Sequence, residues 1–580
     1  MNQYSNHFDG TINFKYYLNT ESIQNLKKWG VNVVRIGLET SQVNNEAIMQ
    51  DYLDTIDLLV KNDIYIVSVL WTSEDEINTN TEIPKQYFEI LSKKYSNTTN
   101  ILYEIANEPG STATWTTIKN YSNAIIPIIR NYSKDSIIII PNPSWDSRPD
   151  LVNLAEICDK NNVMTSYHMY VGNGLTKEKV DYLQEAVNKN IPIFVTEWGT
   201  TLGNGNDGFY EDYSNAFIKF METNSLSWCN FLITDMNFKV DMGEGKEEYS
   251  GIVQHNKWNN SLEEEILTES GKYIKKILQG TCISYNNKSY AIMMPRDDNY
   301  AFWQDEYRNK ITSIEFNKSD TIPDNAIQQW DISLIIPNSV FAYIIEDEAN
   351  IKSYKLFITS NNDINLPINC GSLFSNFSNV TNIYFNGVKS YNVTNFSYMF
   401  KDDISLLNIE GLNNLNTKNL TALYDIFSNC KNLKKINLEN WDVSKVKEMI
   451  NTFANCINLE EIKGIDNWDV SNTTVINSVF QNCQSINNLN LSNWKLKNVT
   501  SMSLCFWNMR NLENLYLNNA EFNLEILQTY REMITGINNS CNIFVKNLSV
   551  ANFIYSVFNE NNIVAHIYYG TEDNWTEYIN

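Results

Sequence analysis

Four histidines in 580 residues, and no Cys-x-x-Cys pair among nine cysteines, leave little from which to build a zinc site. Positive charge is also scarce. Forty-four lysines and arginines stand against 68 aspartates and glutamates, a formal net charge of −24. That balance argues against nucleic acid and anionic membrane surfaces as partners, and it suits a neutral substrate. No apolar run approaches the roughly 18 residues of a membrane span, so no membrane span is expected. The opening MNQYSNHFDG has neither a basic n-region nor an apolar h-region, and no signal peptide is visible. The acidic clusters Glu74–Glu76, Glu263–Glu265 and Glu346–Glu348 lack the spacing of a calcium loop and read as solvated faces.

What is present is organised around ILYEIANEPG, Ile101–Gly110. It begins as a nearly continuous apolar run, the pattern of a parallel strand buried on both faces. It ends in Asn107, Glu108 and Pro109. A carboxyl group at the end of a buried strand loses solvation, which favours its protonated form, as a general acid requires near neutral pH. A second buried-type strand, in IPIFVTEWGT, ends in Glu197. Two glutamates at two strand ends point to glycoside hydrolysis by a carboxylate pair.

Residues 1 to about 280 alternate strand-like and helix-like segments. Strands are expected over Asn32–Gly37, Ile64–Leu70, Ile101–Ala106, Ser136–Pro141, Val163–His168, Ile191–Glu197 and Trp228–Thr234, with a weak first strand near Thr11–Tyr17. Amphipathic helices are expected over Glu46–Lys61, Ile118–Tyr132, Lys177–Asn188, Tyr210–Glu222 and Leu262–Leu278. Eight βα units predict a (β/α)8 TIM barrel, with catalytic groups at the C-terminal strand ends. Arg35 at a strand end and Tyr170 suit the stabilisation of an ionised nucleophile. Asn107 beside the acid suits a sugar hydroxyl, and the flat face of Trp198 suits a sugar ring. The string GNGNDG, Gly203–Gly208, satisfies G-x-G-x-x-G but lacks an opening βαβ unit, so it reads as a loop at the barrel mouth.

Several motifs in order, WGVNVVRIG, NEP, SYHMY, TEWG and WCNFLITDMN, resemble family 5 glycoside hydrolases, especially the bacterial endoglucanase branch. The resemblance runs from about Ser5 to Lys275. It implies Glu108 as acid/base, Glu197 as nucleophile, and Arg35, Asn107, His168 and Tyr170 as substrate-site residues. It also places a sugar-binding aromatic at Trp145 and a weakly matching histidine at His7. Two positions depart from the family pattern. Trp71 or Thr72 stands where a third-strand histidine is usual, and Phe231 stands where an eighth-strand tryptophan is usual.

From Phe400 the chain repeats. Phe400, Phe427, Phe453, Phe480 and Phe506 fall 26 or 27 residues apart, and Trp441, Trp468 and Trp494 keep the same step. Cys430, Cys456 and Cys483 share one phase of the repeat and read as buried free thiols. Core packing accounts for these ladders better than sugar binding does. The repeat, with motifs such as NWDVSKVKEM, resembles BspA-like leucine-rich repeats. The expected organisation is a barrel over 1–280, a β-rich lead-in region over 281–398 and a leucine-rich-repeat solenoid with its cap over 399–580.

The expected function is retaining hydrolysis of β-1,4-glucan or a related β-glycan, without metal or organic cofactor. The repeats are expected to bind a surface, a protein partner or the substrate, and the place of action to be extracellular or at the cell surface. The alternative is an adhesin-type surface protein whose degenerate barrel binds glycans without cutting them.

Overall fold

The computed structural model describes residues 2–3, 14–72, 77, 81–172, 175–202, 209–231, 233, 251–254, 257–280, 291–319, 321–561, 565–571 and 574–579. The chain forms two compact units, Met1–Lys288 and Ser289–Asn580.

The first unit is built on one parallel sheet of eight strands in chain order. They are β1 (Asn2–Gln3), β2 (Val33–Glu39), β3 (Tyr65–Trp71), β4 (Ile101–Glu104), β5 (Ile138–Ile140), β6 (Val163–Tyr170), β7 (Ile193–Gly199) and β8 (Ser227–Asn230). The covering helices are α1 (Thr20–Trp29), α2 (Glu46–Lys61), α3 (Glu82–Lys94), α4 (Trp115–Arg130), α5 (Lys177–Asn188), α6 (Glu211–Thr223) and α7 (Glu269–Leu278). Polar N-caps set where they start. Asn45 accepts from the Ala47 and Ile48 N–H groups, and Thr114, Thr176 and Thr268 cap α4, α5 and α7 in the same way. A salt bridge from Arg35 on β2 to Glu197 on β7, at 3.2 Å, requires the sheet to curl round on itself into the barrel. Val67, Leu102, Ile139, Phe194 and Cys229, from five strands, fill its interior.

Two features differ from the expected pattern. The first strand lies at Asn2–Gln3, pairing with Arg35 and Ile36, whereas Phe14–Tyr17 is one helical turn. That turn buries Phe14 on Tyr52 of α2 and Tyr17 against Trp258, so its aromatics serve packing outside the sheet. No long helix follows β5. The β5–β6 connection is made of short turns at Pro143–Asp146, Pro149–Leu151 and Leu154–Glu156.

The second unit opens with a sheet in which Gln328–Asp331, Phe341–Glu346 and Tyr354–Ser360 pair antiparallel. Tyr354–Ser360 then runs parallel to Ile311–Lys318, which pairs with the first of a series of very short parallel strands. Four of these pairings join strands one repeat apart: Asn382↔Asn408, Lys435↔Glu461, Asn488↔Asn514 and Asn514↔Asn542. The chain therefore winds as a solenoid. Phe400, Phe427, Phe453, Phe480 and Phe506 stack inside it at centroid distances of 5.5 to 5.9 Å, and Trp441, Trp468 and Trp494 at 6.4 Å. Cys430, Cys456 and Cys483 are buried free thiols, each donating to a phenylalanine carbonyl of the preceding turn at 3.0 or 3.1 Å. The asparagine before each of them has a local cause. Asn429, Asn455 and Asn482 all sit at φ near +63°, a conformation asparagine tolerates better than most residues.

Candidate active site

Strand alternation selects what faces the barrel interior. On β2 that is Arg35, which is 1% exposed. Its guanidinium meets Glu104 through two bonds, at 2.5 and 3.1 Å, and reaches Asn107 Oδ1 at 2.6 Å and Glu197 Oε2 at 3.2 Å. Trp71 lies against the same group, 5.1 Å from Arg35 Cζ to ring centroid, a cation–π contact. A Cβ at Gly37 would fall 2.6 Å from the Trp71 indole nitrogen, so the glycine is what admits this large side chain.

Glu197 is 4% exposed and takes a second hydrogen bond, at 2.6 Å, from the Tyr170 hydroxyl. The Tyr170 ring lies over Gly199, where a Cβ would sit 2.6 Å from it. Burial raises the Glu197 pKa and the nearby Glu108 adds to the rise, while His168, Arg35 and the Tyr170 hydroxyl pull it down. Glu108 keeps an open side, with its side chain 31% exposed. Its backbone is left-handed, φ +42°. The protein packed around its carboxyl pushes the pKa up to about 7, against the pull of Arg35. His168 Nδ1 lies 2.7 Å from Glu108 Oε1, and Nε2 lies 2.9 Å from the Thr196 hydroxyl. A hydroxyl both donates and accepts, so the ring can serve either role toward Glu108 by a change of tautomer.

One oxygen of Glu108, one nitrogen of His168 and one oxygen of Glu197 all lie within 4.8 Å of one another. That donor set has the composition of a divalent-metal site. Both imidazole nitrogens are engaged with Glu108 and Thr196, however, and Arg35 holds Glu197, so the trio also forms a complete hydrogen-bonded centre without an ion.

The structure gathers Arg35, Asn107, Glu108, His168, Tyr170 and Glu197 at one mouth of the barrel. Phe231 follows β8, is 7% exposed, and packs edge-on to Tyr170 at 5.9 Å. Trp145 is 44% exposed in the turn after β5, and its backbone N–H donates to the Pro109 carbonyl at 2.8 Å. Trp198 does not join them. It is 0% exposed and packs against Trp228 and against Phe217 of α6. Glu197 faces inward, so its neighbour on the strand faces the helices, and the reading of Trp198 as a sugar platform is corrected. His7 and Gly203–Gly208 lie outside the described residues. Two buried carboxylates were not foreseen, Glu104 and Asp146, each 0% exposed. Glu104 was visible as the one charge in the apolar run ILYE, two places from inward-facing Leu102. Nothing in NPSWDS marked Asp146. A cavity of about 1230 Å³ lies at the opposite end of the barrel, lined by strand starts such as Val33, Tyr65, Ile101 and Met164, away from all of these carboxylates.

A carboxylate pair at the C-terminal mouth of an eight-stranded parallel barrel is the arrangement of a glycoside hydrolase. Residues 2–237 match the family model described as cellulase, glycosyl hydrolase family 5. A cellulase of a Thermoanaerobacterium species, CelDZ1, is 32% identical over 263 residues, covering 40% of this chain and 68% of that protein. An endoglucanase of Clostridium saccharobutylicum is 31% identical over 278 residues, covering 46% of this chain. The chain spans 58% of the length of that endoglucanase. A solved structure titled Cellulase Cel5C_n is 29% identical, with a TM-score of 0.40, covering 45% of this chain and 82% of that one. The chain belongs to glycosyl hydrolase family 5. In the second unit, residues 368–461 and 421–547 match a family described as Mycoplasma protein of unknown function, DUF285.

Proposed function

We propose that the first unit cleaves β-1,4-glucan or a related β-glycan with retention of configuration. One observation carries this reading: oxygens of Glu108 and Glu197 lie within 4.8 Å of one another. Retaining pairs stand about 5 Å apart, whereas inverting pairs leave a wider gap for a water. Glu197 attacks the anomeric carbon while Glu108 gives its proton to the departing glycosidic oxygen. Glu108 then takes a proton from the water that releases the sugar from Glu197. Arg35 and Tyr170 stabilise the Glu197 carboxylate. Asn107 spends its oxygen on Arg35 and offers its amide N–H groups to a hydroxyl beside the reacting carbon. Trp145, exposed next to Glu108, supplies a flat face for a sugar, and Phe231 closes the wall beside Tyr170. Activity falls as pH rises through about 7, because Glu108 loses the proton it must donate.

The second unit, in this reading, is a leucine-rich-repeat module that holds the enzyme to a surface, a protein partner or its polymer, outside the cell or on its surface. Among the described residues, no helix is long and apolar enough to cross a membrane. The test is release of reducing sugar from carboxymethyl cellulose, mannan and mixed-linkage glucan, with the first-formed anomer followed by NMR. Release of the β-anomer, abolished in Glu197→Ala, supports the reading. An α-anomer product removes retention. No release from any polymer leaves the glycan-binding surface protein.

A further inference from the structure

We propose that Asp146 is a positioning residue that holds Glu108 in the left-handed backbone conformation aiming its carboxyl at His168 and Glu197. The inference rests on the reading of Glu108 as the acid/base.

Glu108 has φ +42°, a region that residues other than glycine occupy only when their surroundings over-determine it. Two contacts to the β5–β6 turn supply that constraint. The Glu108 N–H donates to Asp146 Oδ2 at 2.9 Å, and the carbonyl of the next residue, Pro109, accepts from the Trp145 N–H at 2.8 Å. The turn is itself constrained, with Ser144, Trp145 and Asp146 at φ 59°, 56° and 57°. Asp146 holds it from inside: Oδ1 accepts the Asn142 N–H at 2.7 Å and the Ser166 hydroxyl at 2.6 Å. One carboxylate thus ties the segments that follow β4 and β5 to Ser166 in the middle of β6. It can do so because no long helix follows β5, which lets the connection fold down beside the site.

Asp146 is 0% exposed, so it touches no substrate and acts only through what it holds. Its Oδ2 lies 4.0 Å from His168 Nε2, too far for a hydrogen bond, and that nitrogen already meets Thr196. An ionised carboxylate accepts from all three donors at once, and a carboxamide of the same shape does not. In Asp146→Asn an N–H group must face one of the two backbone N–H donors, so one anchor is lost.

The experiment compares kcat/KM on phenyl β-cellobioside, whose leaving group needs a proton, with 2,4-dinitrophenyl β-cellobioside, whose leaving group does not. It is run on the full chain, on Asp146→Asn, on Ser166→Ala and on Glu108→Ala. A misplaced acid in Asp146→Asn lowers kcat/KM on the phenyl substrate at least about tenfold more than on the dinitrophenyl one. Ser166→Ala, which removes one donor and leaves no new charge, moves the same ratio in the same direction by less. It carries the test if the Asn variant does not fold. The basic limb of the pH profile should weaken in parallel. Equal fractional losses on both substrates, or none, overturn the proposal. If Glu108→Ala shows the leaving-group dependence and the Asp146 and Ser166 variants do not, positioning by Asp146 fails and the acid assignment stands. If Glu108→Ala lacks it too, the acid assignment itself fails and the proposal falls with it.

Discussion

The two units bury polar groups in opposite ways. In the barrel, Arg35, the Glu104–Asn107 segment and Glu197 come from distant parts of the chain and meet once, one guanidinium facing two carboxylates. In the solenoid, Cys430, Cys456 and Cys483 recur one turn apart, and each is satisfied by a carbonyl of the neighbouring turn. Convergence creates one chemically unique point, where desolvated charges shift one another's proton affinity. Repetition creates a uniform interior in which every turn supports the next and no position differs enough to react.

The sharpest way to break this comparison is to remove one side chain from each kind of interior. Glu197→Ala should lower kcat on an aryl β-cellobioside on the order of 10⁴-fold or more. Cys456→Ala, equally buried, should leave kcat unchanged. Residual turnover in Glu197→Ala close to that of the intact protein would show that the convergence is not the reacting centre.

Next in size is a stability effect confined to one unit. Phe453 stacks between Phe427 and Phe480 at 5.5 and 5.8 Å, so Phe453→Ala opens a cavity on both sides. It should cost about 3–5 kcal/mol. Calorimetry should show a lowered transition for the second unit and an unchanged temperature of activity loss. A matching fall in the latter would mean that the two interiors are not independent.

A smaller effect tests a turn that breaks the repetition. Asp403 stands where later turns carry Cys430, Cys456 and Cys483. It is 0% exposed; Oδ1 accepts the Phe377 N–H at 2.8 Å and Oδ2 has no hydrogen-bond partner among the described residues. Burial raises its pKa well above the usual carboxylate range, with the Phe377 N–H and Arg296 opposing. The folded chain therefore holds a proton that the unfolded chain releases, and stability falls as pH rises from the ordinary aspartate range to the raised value. Asp403→Asn or Asp403→Cys should remove that slope and stabilise the second unit at neutral pH by roughly 1–3 kcal/mol. An unchanged dependence of Tm on pH would show that another group titrates.

The smallest expected effect is on the solenoid surface. Lys435 and Glu461 pair at 3.0 Å on neighbouring turns, with side chains 67% and 54% exposed. Water and salt screen such a pair, so Glu461→Ala should leave Tm unmoved. Glu104→Ala, which strips a buried arginine of its bidentate partner, should destabilise the barrel measurably. Similar shifts from both would erase the contrast drawn between the two units.

Much of the fold was legible because its signals are local. Helix α2 runs over the same residues, Glu46–Lys61, that apolar periodicity and a preceding asparagine mark out. Strands β3, β6 and β7 lie within two residues of the apolar runs that announced them. The Phe and Trp ladders were readable because a repeat displays its contacts as a fixed step along the chain. The first strand was not, since two residues, Asn2–Gln3, carry no periodicity. Trp198 misled because it adjoins Glu197 in the chain, and adjacency in sequence is opposition on a strand.

The sequence by itself determined the order of strands and helices from β2 to β8, the solenoid step, and the two glutamates worth following. Each is written in neighbouring side chains, whose hydrophobic alternation dictates local structure before any long-range contact forms. Only the tertiary structure decided that Glu104 partners Arg35 and that Asp146 reaches under Glu108. It also set the two carboxylates within 4.8 Å of each other. Those facts depend on the curl of the sheet and on the register shifts between Ser166 and His168 and between Val195 and Trp198. A shift of one residue turns a side chain from the barrel interior to its outside, and that register is set by the packing of all eight strands together.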